Sequence, residues 1–299
     1  MSNKLKFVID EKNAGQKFIH FLKVELKMST RFTRKMAKEG LGNINGYRGT
    51  NSDILKLGDR VEITLDAGET QDIQAEDIPL MVAYEDKDLL IVNKPPFMVV
   101  HPTKSHQSGT LANAIVNYFQ ATNQMCIVRM VNRLDRDTSG LVIVGKSQYA
   151  HQQMANMLIS NDIEKYYIAL VEGKLLKDGT INLPIGRPTL DSIKREVMEE
   201  GQVAVTHYEI MTGVEKFTAL KVKLETGRTH QIRVHLSHIG YPLIGDTLYG
   251  KESAYINRQA LHSYKLKFKS IRNKEIVEVC APLPDDMKDI LDMMEKGTI

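Results

Sequence analysis

The chain has 299 residues, 42% of them hydrophobic and 26% charged, with a formal net charge of +3. That length carries one large domain or two, and the composition is that of an ordinary globular protein. No stretch approaches the ~20 continuous apolar residues of a membrane span, so no membrane partner is expected. The first residues lead into no apolar run of a secretory signal. Cys126 and Cys280 have neither motif spacing nor a secreted context, so a reduced cytoplasmic protein is the expectation.

The positive charge is concentrated at one end. Residues 1–60 hold 13 Lys and Arg against 6 Asp and Glu, a balance of +7, and the remainder is negative. Such asymmetry suggests contact with a polyanion, against the plainer reading of a solvated helical face. Residues 14–28 place Phe18, Leu22 and Leu26 at helical spacing. Ser29 or Thr30 caps a second helix over residues 31–39, with Phe32 and Met36 inward. Arg31, Arg34, Lys35 and Lys38 load its other side. Asn45-Gly46 predicts a tight turn between short strands, and residues 57–63 close the module. Residues 1–66 thus resemble the S4 RNA-binding domain, a small α/β unit whose basic two-helix face meets RNA backbone. The run Gly40-Leu41-Gly42-Asn43 departs from the usual S4 pattern. It also lacks the spacing of a nucleotide-binding glycine loop.

Residues 67–77 are polar, acidic and aperiodic, and read as a linker. A larger domain then runs over residues 78–299. Leu89-Leu90-Ile91-Val92 is a buried strand that stops at Lys94-Pro95-Pro96. Residues 109–119 read as a helix. Many short strands and few helices predict an α+β fold around a mixed, mostly antiparallel sheet.

Two polar stretches stand out in this domain. The first is Asn132-Arg133-Leu134-Asp135-Arg136-Asp137-Thr138-Ser139-Gly140. It lies between two β-branched runs, residues 126–131 and 141–145, both read as strands. Polar residues in a loop held by a sheet mark a site, although a lone Asp-Arg-Asp is more often a salt-bridged turn. The second stretch, Gly227-Arg228-Thr229-His230-Gln231-Ile232-Arg233-Val234-His235, follows an alternating apolar strand.

Together these two stretches resemble the signature of the RluA family of RNA pseudouridine synthases. Three further blocks fit in the same order. They are Asn93-Lys94-Pro95 through Val100-His101-Pro102, residues 165–173, and Gln259-Ala260-Leu261-His262. The five blocks cover most of residues 80–285. The resemblance implies isomerisation of uridine to pseudouridine in structured RNA, ribosomal or transfer, by a monomer without cofactor. Asp135 matches the essential carboxylate, whose attack could fall on C1′, on C6 of the uracil, or on the C2′ proton. Arg233 matches the arginine that keeps such a buried carboxylate charged. Tyr167 matches the tyrosine that stacks on the target base. Arg133 matches the arginine that fills the space left by the flipped-out base. Arg228, His230 and Gln231 are expected to meet the RNA.

Two positions depart from the family. Asn132 stands where His is usual, and Phe97 where Gly is common. Asn cannot titrate, so an essential general acid at that position is not expected. A non-catalytic RNA-binding or assembly factor that kept the fold is the rival reading, and a hydrolase of free nucleosides a third. The first is disfavoured by the complete set Asp135, Tyr167 and Arg233, the second by the basic N-terminus. His230, His235 and His238 lack zinc spacing and no Cys lies nearby, so no metal is expected. Ser139 lacks the elbow of a hydrolase. His262 reads as a satisfied buried group, and Met154 and Met157 as core.

Overall fold

The structure, a computed structural model, describes residues 3–65, 71–103 and 106–299. The N-terminal module comprises β1 (Lys4–Val8), α1 (Phe18–His20), α2 (Thr30–Glu39), β2 (Gly42–Ile44), β3 (Tyr47–Arg48) and β4 (Arg60–Thr64). Its strands form one antiparallel sheet in the order β1-β4-β2-β3. The first helix is shorter than its apolar spacing predicts, and it widens into a π-helical turn over Phe21–Glu25. Ser29 caps α2 by accepting from the Phe32 N–H at 3.2 Å. Asn45 and Gly46 both take positive φ, as the two-residue turn between β2 and β3 requires. Phe32, Thr33 and Met36 of α2 are buried, Arg31, Arg34 and Lys38 are exposed, and Lys35 is half-buried.

The stretch expected to be a linker is attached along its described part; its residues 67–70 lie outside the described residues. The Gln71 side chain accepts from Val128 N–H at 2.9 Å. Glu76 accepts from Gly109 N–H at 2.9 Å, and Asn113 donates to the Gln74 carbonyl at 2.9 Å. Ile73 packs on the apolar cluster beneath the next helix. Polar side chains here serve backbone groups of the neighbouring unit.

The larger unit holds β5 (Val82–Glu85), β6 (Leu89–Lys94), α3 (Leu111–Ala121), β7 (Ser139–Gly145), α4 (Gln148–Ile159), β8 (Glu164–Glu172), β9 (Gly179–Asn182), β10 (Ile185–Gly186), β11 (Glu196–Val197), β12 (Val205–Gly213), β13 (Phe217–Leu224), α5 (Gln231–His238), β14 (Leu261–Lys269), β15 (Ile276–Cys280) and α6 (Asp285–Glu295). Among the described residues a nine-stranded sheet runs β5-β6-β7-β14-β8-β13-β12-β9, with β15 on β14. Its pairs are antiparallel except β7 with β14. The α+β expectation of a mixed, mostly antiparallel sheet is therefore met.

Side-chain alternation explains why the central strands read as unbroken apolar runs: both faces are covered. Leu90, Val92, Val142 and Val144 face α3, with Leu111, Ile115 and Phe119. Leu89, Ile91, Leu141 and Ile143 face the other way, toward Tyr149 and Met154 of α4. Further along the sheet, Ala169, Leu220 and Val222 meet Ile232 and Leu236 of α5, while Ile168, Leu170 and Ala219 meet Met287, Ile290 and Met294 of α6. The N-terminal module shares the α4-side cluster, which joins Leu5, Phe21 and Phe32 to Met154, Phe268 and Ile271. Arg272 fastens the junction, binding Asp88 at 2.6 Å, the Lys4 carbonyl at 3.0 Å and Asn3 at 2.6 Å.

One expected strand is absent. Residues 126–131 are β-branched, yet they form only a bridge at Met130 to Val144. The segment's pairing slot on β7 is taken in part by a side chain. Asn132 accepts from Ile143 N–H at 2.7 Å and donates to the Leu141 carbonyl at 3.3 Å.

Candidate active site

The loop of residues 132–138 enters β7 between the α3 and α5 layers. Leu134 packs into both apolar clusters and so fixes its neighbour Asp135. Polar groups brace the rest of the loop. Lys94 is fully buried, and its ammonium donates to the carbonyls of Pro95, Met98 and Arg136 at 2.8, 2.9 and 2.8 Å. Burial pushes its pKa down to about 7, with Asp137 pulling the other way. Three acceptors are served only by the ammonium form, since a neutral amine has two protons to give. Arg258 donates to the Asp137 carbonyl at 3.1 Å while gripping Asp286 at 2.7 and 2.8 Å. Gln259 donates to the Thr138 hydroxyl at 3.2 Å. Behind the loop, β7 crosses β14 so closely that a Cβ at Gly140, φ +113°, would lie 2.2 Å from the Ser263 carbonyl oxygen. Only glycine fits there.

Asp135 meets Arg233 from the first turns of α5. Arg233 Nη1 donates to Asp135 Oδ2 at 3.0 Å. The same guanidinium forms a fork on Asp246, with Nε to Oδ2 at 2.7 Å and Nη2 to Oδ1 at 2.8 Å. Asp246 is 0% exposed in its side chain and also accepts from the N–H groups of Leu248 and Tyr249 at 3.1 and 3.2 Å. Burial works against the Arg233 charge, but Asp246 and Asp135 outweigh it and raise its pKa. The ring of Tyr249 lies 5.0 Å from the guanidinium carbon. Arg233 is thus a fixed arm that places two N–H groups on a structural carboxylate and one on Asp135.

A cavity of about 70 Å³ opens beside this pair, lined by Arg133, Asp135, Tyr167, Leu224, Arg228 and Arg233 among others. Tyr167 sits on β8 opposite Ser263 of β14. Burial pushes its phenol up to about 12, and Asp135 adds to the rise. Among the described residues, Ser263 Oγ is the buried side-chain polar atom without a hydrogen bond.

The sequence-predicted residues separate into groups. Asp135, Tyr167 and Arg233 come together around the cavity, and Arg133, Arg228 and His230 line it with them. Arg133 and Arg228 are exposed, with Arg228 Nε donating to the Val203 carbonyl at 3.0 Å. Gln231 lines the cavity too, but its side chain is engaged within the protein. It is 3% exposed, and its amide is occupied by Thr226, Arg228 N–H, Val205 and Thr206. It holds the loop ahead of α5 in shape and has no donor or acceptor left to offer. Arg31, Arg34, Lys35 and Lys38 belong to α2 and line no part of this cavity. Asn132 also points away from the cavity, to β7. Phe97 occupies φ +63° and is exposed, a conformation that glycine would adopt without strain. His262 pairs with Ser139 at 2.9 Å, and burial pushes its pKa down to about 4, consistent with a satisfied buried group. His235 is likewise occupied, by Thr206 and the Leu183 carbonyl. Among the described residues no three His, Cys, Asp or Glu side chains cluster as a metal site would. Nor is any helix there long and apolar enough to cross a membrane.

Asp246, Tyr249 and Arg258 were not foreseen. Asp246 did carry a signal, a lone acid directly after the apolar Leu243-Ile244-Gly245, where a buried carboxylate needs a cation.

Comparison with known proteins agrees with this geometry. The family model for RNA pseudouridylate synthase matches residues 88–238, half of the chain. The chain is 40% identical over 289 residues to the uncharacterized RNA pseudouridine synthase YhcT of Bacillus subtilis, covering 96% of both chains. It is 35% identical over 310 residues to the ribosomal large subunit pseudouridine synthase D of Salmonella typhimurium, covering 97% of this chain and 94% of that one. The solved human RNA pseudouridylate synthase domain containing 4 superposes with a TM-score of 0.61 at 21% identity, over 72% of this chain and 93% of the other, which shows a common fold. On these matches the chain belongs to the RluA family of RNA pseudouridine synthases, enzymes that isomerise uridine to pseudouridine within RNA.

Proposed function

We propose that Asp135, Tyr167 and Arg233 carry this isomerisation and that the substrate is ribosomal RNA. The observation behind the first part is the Arg233–Asp135 ion pair at a cavity walled by Tyr167. The reaction breaks the bond from uracil N1 to ribose C1′, joins C5 to C1′, and releases the C5 proton. Asp135 supplies the carboxylate for the bond-breaking step, and Arg233 holds it in place. Tyr167 offers a flat face to the uracil. Its phenol, pushed up to about 12 by burial, stays protonated at neutral pH, so stacking suits it better than action as a free phenolate. Arg133, exposed at the mouth, fills the gap left by the extruded base. Ribosomal RNA is favoured because the relative from Salmonella typhimurium, aligned over nearly its whole length, is named for the large ribosomal subunit.

The chain works as a cytoplasmic monomer with residues 1–66 as an S4-like RNA grip, residues 67–77 as the connection and residues 78–299 as the catalytic unit. The test is tritium release from C5-labelled uridine, using large-subunit ribosomal RNA, transfer RNA and free uridine in parallel. Release from ribosomal RNA is expected. Release from transfer RNA alone would reassign the substrate, and release from free uridine would remove the need for an RNA grip.

The grip has its own test. Because the N-terminal module shares an apolar cluster with the catalytic unit, point substitutions probe it better than truncation. Arg31→Ala, Arg34→Ala and Lys38→Ala together remove three exposed cations from α2. The slope of log affinity against log salt is expected to become shallower by about 2–3, one counterion per lost phosphate contact. The single-turnover rate at saturating RNA should stay within about threefold, since phosphate contacts position without touching the reacting base. An unchanged slope would mean that this face does not meet RNA.

A further inference from the structure

His230 sits where α5 begins, in a left-handed conformation with φ 58°. Such backbone is uncommon outside glycine and is held only where the surroundings enforce it. Here the side chain is held by Tyr249. The Tyr249 hydroxyl is 2.9 Å from His230 Nδ1, and the two rings meet edge to face. Tyr249 is itself anchored on several sides. Its N–H donates to Asp246, its carbonyl accepts from Ser237 at 2.7 Å, and its ring covers Arg233.

The proton positions follow from the partners. The Arg195 N–H donates to the Tyr249 oxygen at 2.8 Å. A backbone amide has no lone pair to offer, so the phenol proton is left for another acceptor, and His230 Nδ1 is within reach. With Nδ1 accepting, a neutral imidazole carries its proton on Nε2. That nitrogen lies 3.8 Å from Asp135 Oδ1, while Arg233 occupies Oδ2. The charged groups facing the ring are Asp135, Arg233, Arg195 and Asp246. Burial, with Arg233 and Arg195, outweighs the two carboxylates and lowers the imidazole pKa, so the ring is neutral at neutral pH.

We propose that Tyr249 and His230 are positioning residues. Tyr249 locks His230 in the Nε2–H tautomer, and His230 donates to Asp135 Oδ1 when RNA closes the site, holding the carboxylate from the side opposite Arg233. This rests on Asp135 being the reacting carboxylate. It assigns His230 to the protein's own machinery, whereas the sequence pattern pointed to an RNA contact. The 3.8 Å separation needs to shrink by less than 1 Å, a tightening that catalytic hydrogen bonds commonly undergo as substrate binds.

Nitrogen NMR of the full chain with labelled histidine reads the tautomer directly, His230 being assigned by the resonance lost in His230→Gln. The Nε2–H pattern is expected, and Tyr249→Phe should turn it into a mixture. In single-turnover tritium release at saturating RNA, Tyr249→Phe should be slower by about tenfold. His230→Gln, whose amide places an N–H near the Nε2 position, should keep more activity than His230→Ala. Combining His230→Gln with Tyr249→Phe should cost no more than His230→Gln alone, because an amide has no tautomer to lock. RNA affinity should move by less than about threefold throughout. An Nδ1–H tautomer or an imidazolium in the unaltered protein would overturn the proposal without any variant needing to fold. Independent losses in the double variant, or an effect confined to RNA affinity, would do the same. Activity surviving in Asp135→Asn would instead remove the role of Asp135, leaving the measured tautomer as it stands.

Discussion

Asp135→Asn is expected to abolish turnover, by at least about 10⁴-fold, as loss of a reacting group does when its supporting residues act as a unit. The substitution keeps size and shape. Arg233 retains its fork on Asp246, and the new amide still offers a carbonyl oxygen to Nη1, so the loop has no reason to move. Lys94, Arg258 and Gln259 brace the loop through its backbone and through Thr138, none of which the change touches. Affinity for RNA should therefore stay within a few fold, since phosphate contacts dominate it. Single-turnover tritium release beside equilibrium binding on the same RNA separates the two quantities. More than about 1% of the original rate would show that another group does the chemistry.

The cost of that single atom change is confined because the loop is over-determined, and the devices responsible were unevenly legible in the sequence. Asn93-Lys94-Pro95 and Gln259-Ala260-Leu261-His262 stood out as blocks, but their purpose did not. Lys94 and Gln259 act on a loop about forty and over a hundred residues away in sequence, and no local pattern encodes such a partner. Gln231 shows the reverse case. It sits inside a conspicuous polar motif and looks like a contact residue, yet its amide is spent on the backbone and hydroxyls around it. Asn132 looked like the loss of a titrating group and proved to be a side chain that imitates a strand partner.

At the level of the fold, periodicity served where burial was one-sided or complete. The α2 stripe of Phe32 and Met36 and the runs of β6 and β7 were readable for that reason. It failed at residues 126–131, where β-branched composition suits a strand but the neighbouring slot on β7 is already partly filled. It was also silent on the contact between the two units. Apolar residues of the N-terminal module carry no mark showing whether they face their own sheet or Phe268 and Ile271 of the larger unit.

Arg233 joins stability to chemistry, and its substitutions should pull the two apart. Arg233→Ala leaves Asp246 buried with two backbone N–H bonds and no cation. Stranding a buried carboxylate costs about 3–5 kcal/mol, so a fall in melting temperature is expected along with loss of turnover. Arg233→Lys restores charge but not the fork. One ammonium cannot reproduce three N–H contacts fixed in a plane on Asp246 and Asp135, and a deficit of about 10²-fold or more in the single-turnover rate should remain. The informative variant is Arg233→Met combined with Asp246→Asn. The amide oxygen still accepts from Leu248 and Tyr249, the methionine refills the space, and no buried charge is left unpaired. Asp135 loses its partner too, but its side chain is 28% exposed and water can serve it. Thermal unfolding should show most of the lost stability returning, because a buried ion pair replaced by well-packed neutral groups is often no worse. Turnover should not return, since nothing then holds Oδ2. If activity recovered together with stability, Arg233 would matter only for the fold, and the carboxylate of Asp135 would need no fixed cation to react.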